Sequence, residues 1–425
     1  MYFMKTIFVF SFLVVASFCS GQSRHSTSSI FKSYKGLVLA GYQGWFNAPE
    51  DGANRKWNHY SGKEGLKDGS CKFDMWPDVS EYAKTYNSPF QLPEGKAAKL
   101  FSSYDAETVQ LHFKWMKDYG IDGVFVQRFV SNIKNTTSLN HNNVVLKNAI
   151  RASRQQRRAI ALMYDLSGMK DSDDTTVIND WKNLVDSLKL TAGGNDQTYL
   201  FHNGKPLVAI WGVGFEGRNY SLKTIEKVID FLKNDSVYGG CSILLGLPTY
   251  WRTLTRDADT DPRLHDVIRK CDIVQPWMVG RYNESSYPGF ADQLKSDLAW
   301  CKTNMVDYVP VVFPGFSWHN MYETGKFDQI PRNKGSFFWK QLTGAMEAGC
   351  EMIYVAMFDE IDEATAIFKI SNNPPEGKSR FVTFEPGIPG DYYLQLTGKA
   401  AKMLRKEIPF KKEIPAPVVK NTRKG

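Results

Sequence analysis

Eight short runs of β-branched and aliphatic residues recur along this chain, and each is followed by a segment with helical periodicity. The runs are residues 36–41, 123–127, 159–164, 206–211, 242–246, 272–275, 308–313 and 352–358. The helical segments fall near 106–119, 144–157, 177–190, 222–232, 262–270, 289–303, 336–348 and 395–405. In the first of them Val109, Phe113 and Met116 have helical spacing and Gly120 ends the pattern. The runs are continuously apolar rather than alternating, as in parallel strands covered on both faces. Eight βα units in one chain predict an α/β fold, a single (β/α)8 TIM barrel. A doubly wound open sheet is the competing architecture. It usually carries a glycine-rich phosphate loop after an early strand, and this chain has none.

The barrel units account for residues 22–407 as one domain, with a loop-rich insertion at 47–103. Residues 408–425, with Pro409, Pro415 and Pro417, read as an extended tail. Residues 1–21 read as a signal peptide: Lys5, an apolar stretch from Ile7 to Phe18, then Cys19, Ser20 and Gly21. Cleavage is expected after Gly21, giving a secreted or periplasmic protein. The bulky Phe18 argues against a lipid anchor on Cys19. The apolar stretch is too short for a permanent span, and no later segment looks transmembrane.

Five cysteines would remain: Cys71, Cys241, Cys271, Cys301 and Cys350. They form no C-x-x-C pair, so buried free thiols or one disulfide are both open. Clustered metal ligands are missing and no cofactor motif is present, so neither a metal nor a cofactor is expected. The net charge of +8 is spread over scattered Lys and Arg and the tail, which reads as a solvated surface rather than a nucleic-acid footprint. A monomer is expected.

Chemistry in such barrels gathers at the C-terminal ends of the strands. Those ends carry Tyr42, Gln43 and Trp45; Gln127 and Arg128; Tyr164; Trp211; Tyr250; Trp277 and Arg281; Trp318 and His319. The eighth run leads into "MFDEIDEATAIF", which sets Asp359, Glu360, Asp362 and Glu363 within five positions. Aromatic rings beside amides and carboxylates suit a sugar: rings stack on C–H faces, polar groups bond hydroxyls, and a carboxyl pair does acid–base work. Each piece also has a plainer reading. Strand-end indoles often only pack. Gln43 and Gln127 can serve buried backbone groups, and Arg128 and Arg281 can be structural ion pairs. Acids at a helix N-terminus oppose the macrodipole, but that accounts for one or two carboxylates, not four. Such crowding should raise at least one pKa and leave a general acid near neutral pH.

The stretch from Phe358 to Thr365 resembles the strand-8 motif of glycoside hydrolase family 99 and its relatives in family 71. Gly41-Tyr42-Gln43-Gly44-Trp45-Phe46 falls where that family has an aromatic-rich strand-1 end. The resemblance covers roughly residues 36–407, and the strand-8 motif is its specific part. It implies a (β/α)8 enzyme in which two glutamates three residues apart cleave an α-linked glycan with retention, an α-mannoside being the first candidate. Glu360 matches the glutamate that deprotonates the sugar 2-hydroxyl, and Glu363 the one that protonates the leaving oxygen and later activates water. Between the glutamates the family has an aromatic and a histidine, then Gly-Thr. Here Ile361, Asp362 and Ala364 stand in those places, which marks a divergent relative with its linkage open. An α-1,3-glucanase-like hydrolase, or a non-catalytic glycan-binding protein on the same barrel, are the alternatives. The partner in every case is an oligosaccharide or polysaccharide.

Overall fold

The chain closes into a ring of eight parallel strands. The structure is a computed structural model and describes residues 23–193, 197–322 and 325–419. The expected signal peptide, with Cys19, lies outside the described residues. The strands are β1 (Val38–Tyr42), β2 (Gly123–Phe129), β3 (Ala159–Asp165), β4 (Lys205–Trp211), β5 (Ser242–Leu247) and β6 (Ile273–Pro276), then β7, and β8 (Ile353–Val355). β7 comes in two pieces, Asp307–Tyr308 and Val311–Val312, because Pro310 has no N–H to give. The first piece pairs with β6 and the second with β8. The junction is bonded as well: the Val309 N–H donates to Val274 O at 2.9 Å, and the Tyr354 N–H donates to Pro310 O at 3.0 Å. β1 pairs with β8 on one side and β2 on the other, so the ring is complete.

Alternation along each strand builds two cores. Leu39, Phe125, Met163, Ala209, Leu244, Ile273, Val311 and Tyr354 fill the barrel interior. Their neighbours Val38, Val124, Leu162, Val208, Ile243, Val274, Val312 and Ile353 pack outward in the helix layer. Carried two residues further up, the inward series places Gly41, Gln127, Asp165, Trp211, Gly246 and Gln275 toward the mouth.

The helices lie close to their expected places. Thr136–Gln156 begins earlier than expected, because the Asn135 side chain accepts from Ser138 N at 3.0 Å and caps it there. Asp174–Ser187 and Tyr392–Leu404 also start one turn early. The insertion is loop-rich but well packed. It contains an antiparallel pair, Tyr86–Gln91 with Ala97–Leu100, and buries Tyr60, Phe73, Met75, Trp76 and Tyr82 in the outer core. It is a packed wall above the barrel, not a surface loop. The described part of the tail runs without helix or strand along the last helices, held where the Trp339 indole donates to Lys412 O at 3.0 Å and Gln395 Nε2 donates to Val418 O at 2.9 Å. The five described cysteines are buried free thiols. No described helix is long and apolar enough to cross a membrane.

Gly246 makes room for the mouth. A Cβ there would meet Trp211 Cδ1 at 2.4 Å and the Trp211 backbone Cα at 2.8 Å. Gly246→Ala is expected to cost about 1–3 kcal/mol of stability in urea unfolding, because the clash includes backbone and cannot be relieved by a rotamer alone.

Candidate active site

The loop after β8 is tied down on every side. Asp359 is fully buried and joins it to the end of β1: Gln43 N donates to its Oδ1 and Gly44 N to its Oδ2, both at 2.8 Å. Burial pushes the Asp359 pKa up to about 7, against the pull of those two donors. Arg332 clamps the far side, donating to Ala364 O at 2.8 Å and Ala366 O at 2.7 Å. Asp74, from the insertion, accepts from Ser317 Oγ, from His319 N at 2.7 Å and from Asn320 N at 2.8 Å, and so holds the loop after β7.

Glu360 sits at the cleft floor, 5% exposed. Gln43 Nε2 donates to its Oε1 at 3.0 Å and Thr365 Oγ1 to its Oε2 at 3.1 Å. Burial first, then Glu363 and Asp362, push its pKa well above the ordinary range. Glu363 is half-buried beside the Trp318 indole; burial and then Asp362 raise its pKa, against the pull of that indole. Asp362 is buried beside His59, whose Nδ1 lies 3.1 Å from Oδ2, and its Oδ1 has no protein partner. Burial raises this carboxyl as well. Negative charges this close and this dry cannot all ionise together, so the cluster holds protons at neutral pH.

The cleft has a volume of about 410 Å³ and its walls include Gln43, Trp45, Gln127, Trp211, Trp277, Arg281, Trp318, Glu360 and Glu363. Trp45, Trp277 and Trp318, which the strand order puts at separate points around the ring, therefore share one cavity with Glu360. Trp211 and Trp277 meet edge-on at 5.3 Å and 78°. Arg281 reaches the cleft while paired with Asp257 at 3.0 Å.

Seven expected binding residues lie outside this cavity. Tyr42, Arg128 and Tyr164 occupy outward positions of their strands, so alternation turns them into the helix layer. Tyr42 OH bonds His112 Nδ1 at 3.0 Å. Arg128, 2% exposed, pairs with Asp180 through Nε at 2.6 Å, and Tyr164 OH donates to the same carboxylate at 2.8 Å. Tyr250 carries the Arg256 guanidinium 4.3 Å from its ring centre, and the His319 ring packs edge-on to Phe327 at 5.5 Å. Asp359 and Asp362 lie under the wall rather than in it.

Sequence reasoning passed over Asp165, which lines the cleft two positions above the inward-facing Met163. It is 8% exposed, accepts from Ser167 N at 2.8 Å, and burial pushes its pKa to about 6. Strict alternation along β3 is the signal that finds it. Phe129, Ser167, Phe316, Gln329 and Met357 also line the cavity. His59 and Asp74 carried no local signal, because only the folded insertion brings them to the loop. Among the described residues no group of three His, Cys, Asp or Glu side chains is placed to hold a metal ion.

No family model matches the chain. No curated protein matches it in sequence. Among solved structures it is similar to the GH99 endo-alpha-mannosidase from Bacteroides thetaiotaomicron in complex with BIS-TRIS-Propane, with a TM-score of 0.63 and 16% identity over 88% of this chain and 98% of that one. A second structure of the Bacteroides thetaiotaomicron GH99 endo-alpha-mannosidase gives a TM-score of 0.61 and 16% identity over 87% and 98%. What the likeness establishes is a common (β/α)8 barrel.

Two outcomes follow from the buried charges. Asp180→Ala leaves the Arg128 guanidinium buried without its counter-charge. It is expected to cost about 3–5 kcal/mol in chemical unfolding while the cleft keeps its ligand affinity. Glu360→Gln should behave oppositely. Above the ordinary carboxyl value of 4.5 the unfolded chain releases this proton and the folded chain retains it, so native stability declines as pH rises toward the raised folded value. Glutamine has no proton to lose. The variant's thermal midpoint should therefore gain on the native one as pH rises through that window, by up to about 1.4 kcal/mol per pH unit.

Proposed function

We propose that this protein is a glycoside hydrolase that cleaves an α-linked glycan, an α-mannoside in the first instance, with Glu360 and Glu363 as the reacting pair. One observation carries the reading: two glutamates three residues apart, Glu360 buried and Glu363 half-buried, open into an aromatic-walled cleft at the mouth of a parallel barrel. The barrel shared with an endo-alpha-mannosidase and the motif from Phe358 to Thr365 support the α-linked substrate.

Burial and mutual repulsion raise both glutamates, so the free cleft holds a proton on each near neutral pH, and the reacting form is the one in which the pair has lost one of the two. Two donors, Gln43 Nε2 and Thr365 Oγ1, bond Glu360 and favour its carboxylate, whereas Glu363 sits beside the Trp318 indole and against Asp362. Glu363 is therefore the acid and Glu360 the base. In the first step Glu360 takes the proton of the sugar 2-hydroxyl, O2 attacks the anomeric carbon, and the glycosidic C–O bond breaks as Glu363 protonates the leaving oxygen. In the second, Glu363 takes a proton from water, the water oxygen attacks the anomeric carbon, and the bond between that carbon and O2 breaks as Glu360 returns its proton to O2. Two inversions leave the configuration retained. Asp165, Gln127 and Arg281 are placed to bond sugar hydroxyls, and Trp45, Trp211 and Trp277 to meet the ring faces. We propose further that the enzyme works outside the cytoplasm after loss of residues 1–21.

Turnover of α-mannans, α-glucans and their oligosaccharides, followed as new reducing ends, tests the reading. Glu363→Gln should slow a natural glycan by about 10²–10⁴-fold and spare activated aryl glycosides, which need little protonation. Glu360→Gln should slow both, and substrates lacking a free 2-hydroxyl should not react. Tight glycan binding without any turnover would make the protein a binding module instead, and near-native rates for both variants would remove the pair from the chemistry.

A further inference from the structure

One wall of the cleft is not held by the barrel. Trp45 leaves the end of β1 and lines the cavity, but the face behind it is covered by His59 from the insertion, with ring centres 3.8 Å apart and planes 7° from parallel. The His59 backbone is in the left-handed region, at φ 63°, which a residue other than glycine adopts at a cost. The same ring has its Nδ1 3.1 Å from Asp362 Oδ2. Asp362 is 2% exposed, its second oxygen is unpartnered, and it stands between Glu360 and Glu363. A continuous line of contact thus runs from the sugar-facing indole, through the imidazole, to the carboxylate next to Glu363.

We propose that His59 and Asp362 are a positioning pair: the imidazole braces Trp45 against the sugar and, through its bond to Asp362, sets the charge that Glu363 faces. The proposal rests on the glycosidase reading above. Neither residue reacts.

Burial, then the charges of Arg55 and Lys72, hold the His59 pKa down to about 3, so the ring is neutral wherever an enzyme works. In the tautomer that carries its proton on Nδ1 the neutral imidazole is a donor, and a donor favours the charged carboxylate, against the burial that pushes Asp362 up to about 8. Ionisation of Asp362 in turn disfavours ionisation of Glu363, so the strength of the His59 bond sets how firmly the acid holds its proton. The other ionisable groups around Asp362 are Asp359, Glu360 and Glu363 on its own loop, and Tyr60, Lys72 and Asp74 from the insertion. A substitution at His59 leaves all of these in place. Simple packing would ask for a ring at position 59 but not for its nitrogen.

Three substitutions separate the two contacts. His59→Asn keeps a donor near the Nδ1 position and loses the ring. His59→Phe keeps the ring and loses the donor. Asp362→Asn keeps the shape and loses the charge. The Trp318 indole lies beside Glu363 in the cleft, so the emission difference between each protein and its Trp318→Phe counterpart, followed against pH, reports Glu363 titration without any substrate. His59→Phe and Asp362→Asn should each move that midpoint to lower pH by about one unit, with no further movement when combined. His59→Asn should keep the native midpoint and raise KM by about 3- to 10-fold, more than it lowers kcat. An unmoved midpoint in Asp362→Asn overturns the proposal, and this isosteric variant decides it even if His59→Phe does not fold. Native protein that turns over no α-glycan overturns the glycosidase reading instead, while the midpoints still decide the pair.

Discussion

Closing eight parallel strands into a ring gives every strand an inside and an outside, and side chains must alternate between them. That constraint decides what the mouth of this barrel contains. Gln127, Asp165 and Trp211 arrive in the cleft because Phe125, Met163 and Ala209 below them already face inward. Arg128 and Tyr164, one position away, arrive in the helix layer and meet at Asp180. Glycine at 246 lets the Trp211 indole cross the barrel mouth. A single-residue slip in any strand would exchange a sugar-facing group for a core-facing one.

The second constraint is charge kept from water. Asp359, Glu360 and Asp362 are each at least 95% buried, in a region where an unpaired carboxylate costs several kcal/mol. The fold meets that cost with donors drawn from far along the chain: backbone N–H groups at Gln43 and Gly44, the Gln43 amide, and His59. It meets the rest with protonation. The same crowding that weakens the fold at high pH supplies a loaded acid in the cleft, so local instability and chemistry share one origin.

The insertion makes this arrangement possible. A bare barrel would leave the acidic loop open to solvent, where four carboxylates would ionise and repel. Tyr60, Phe73, Met75 and Trp76 close over it as an apolar cap, while His59 and Asp74 reach down to the loops after β8 and β7. The segment reads as loop-rich, and most of it has neither helix nor strand. Its apolar residues are spread too irregularly for either helical or strand periodicity, so no local pattern announced that they would be buried.

The sequence by itself determined the eight βα units, the order of the strands, and the acidic motif at the end of the last one, because apolar runs, breaks and caps are local and each unit declares itself. It also determined that aromatic and acidic side chains would gather at one end of the ring. Which of them meet was decided by tertiary structure. Strand ends carry neighbouring residues of opposite facing, so alternation separates Tyr42, Arg128 and Tyr164 from Gln43, Gln127 and Asp165, but only the closed sheet decides which set faces the cleft. His59 and Asp362 lie 303 positions apart and come to 3.1 Å only once the insertion has folded over the mouth. Burial, and with it the proton each carboxylate keeps, belongs to the packed molecule and not to any stretch of its chain.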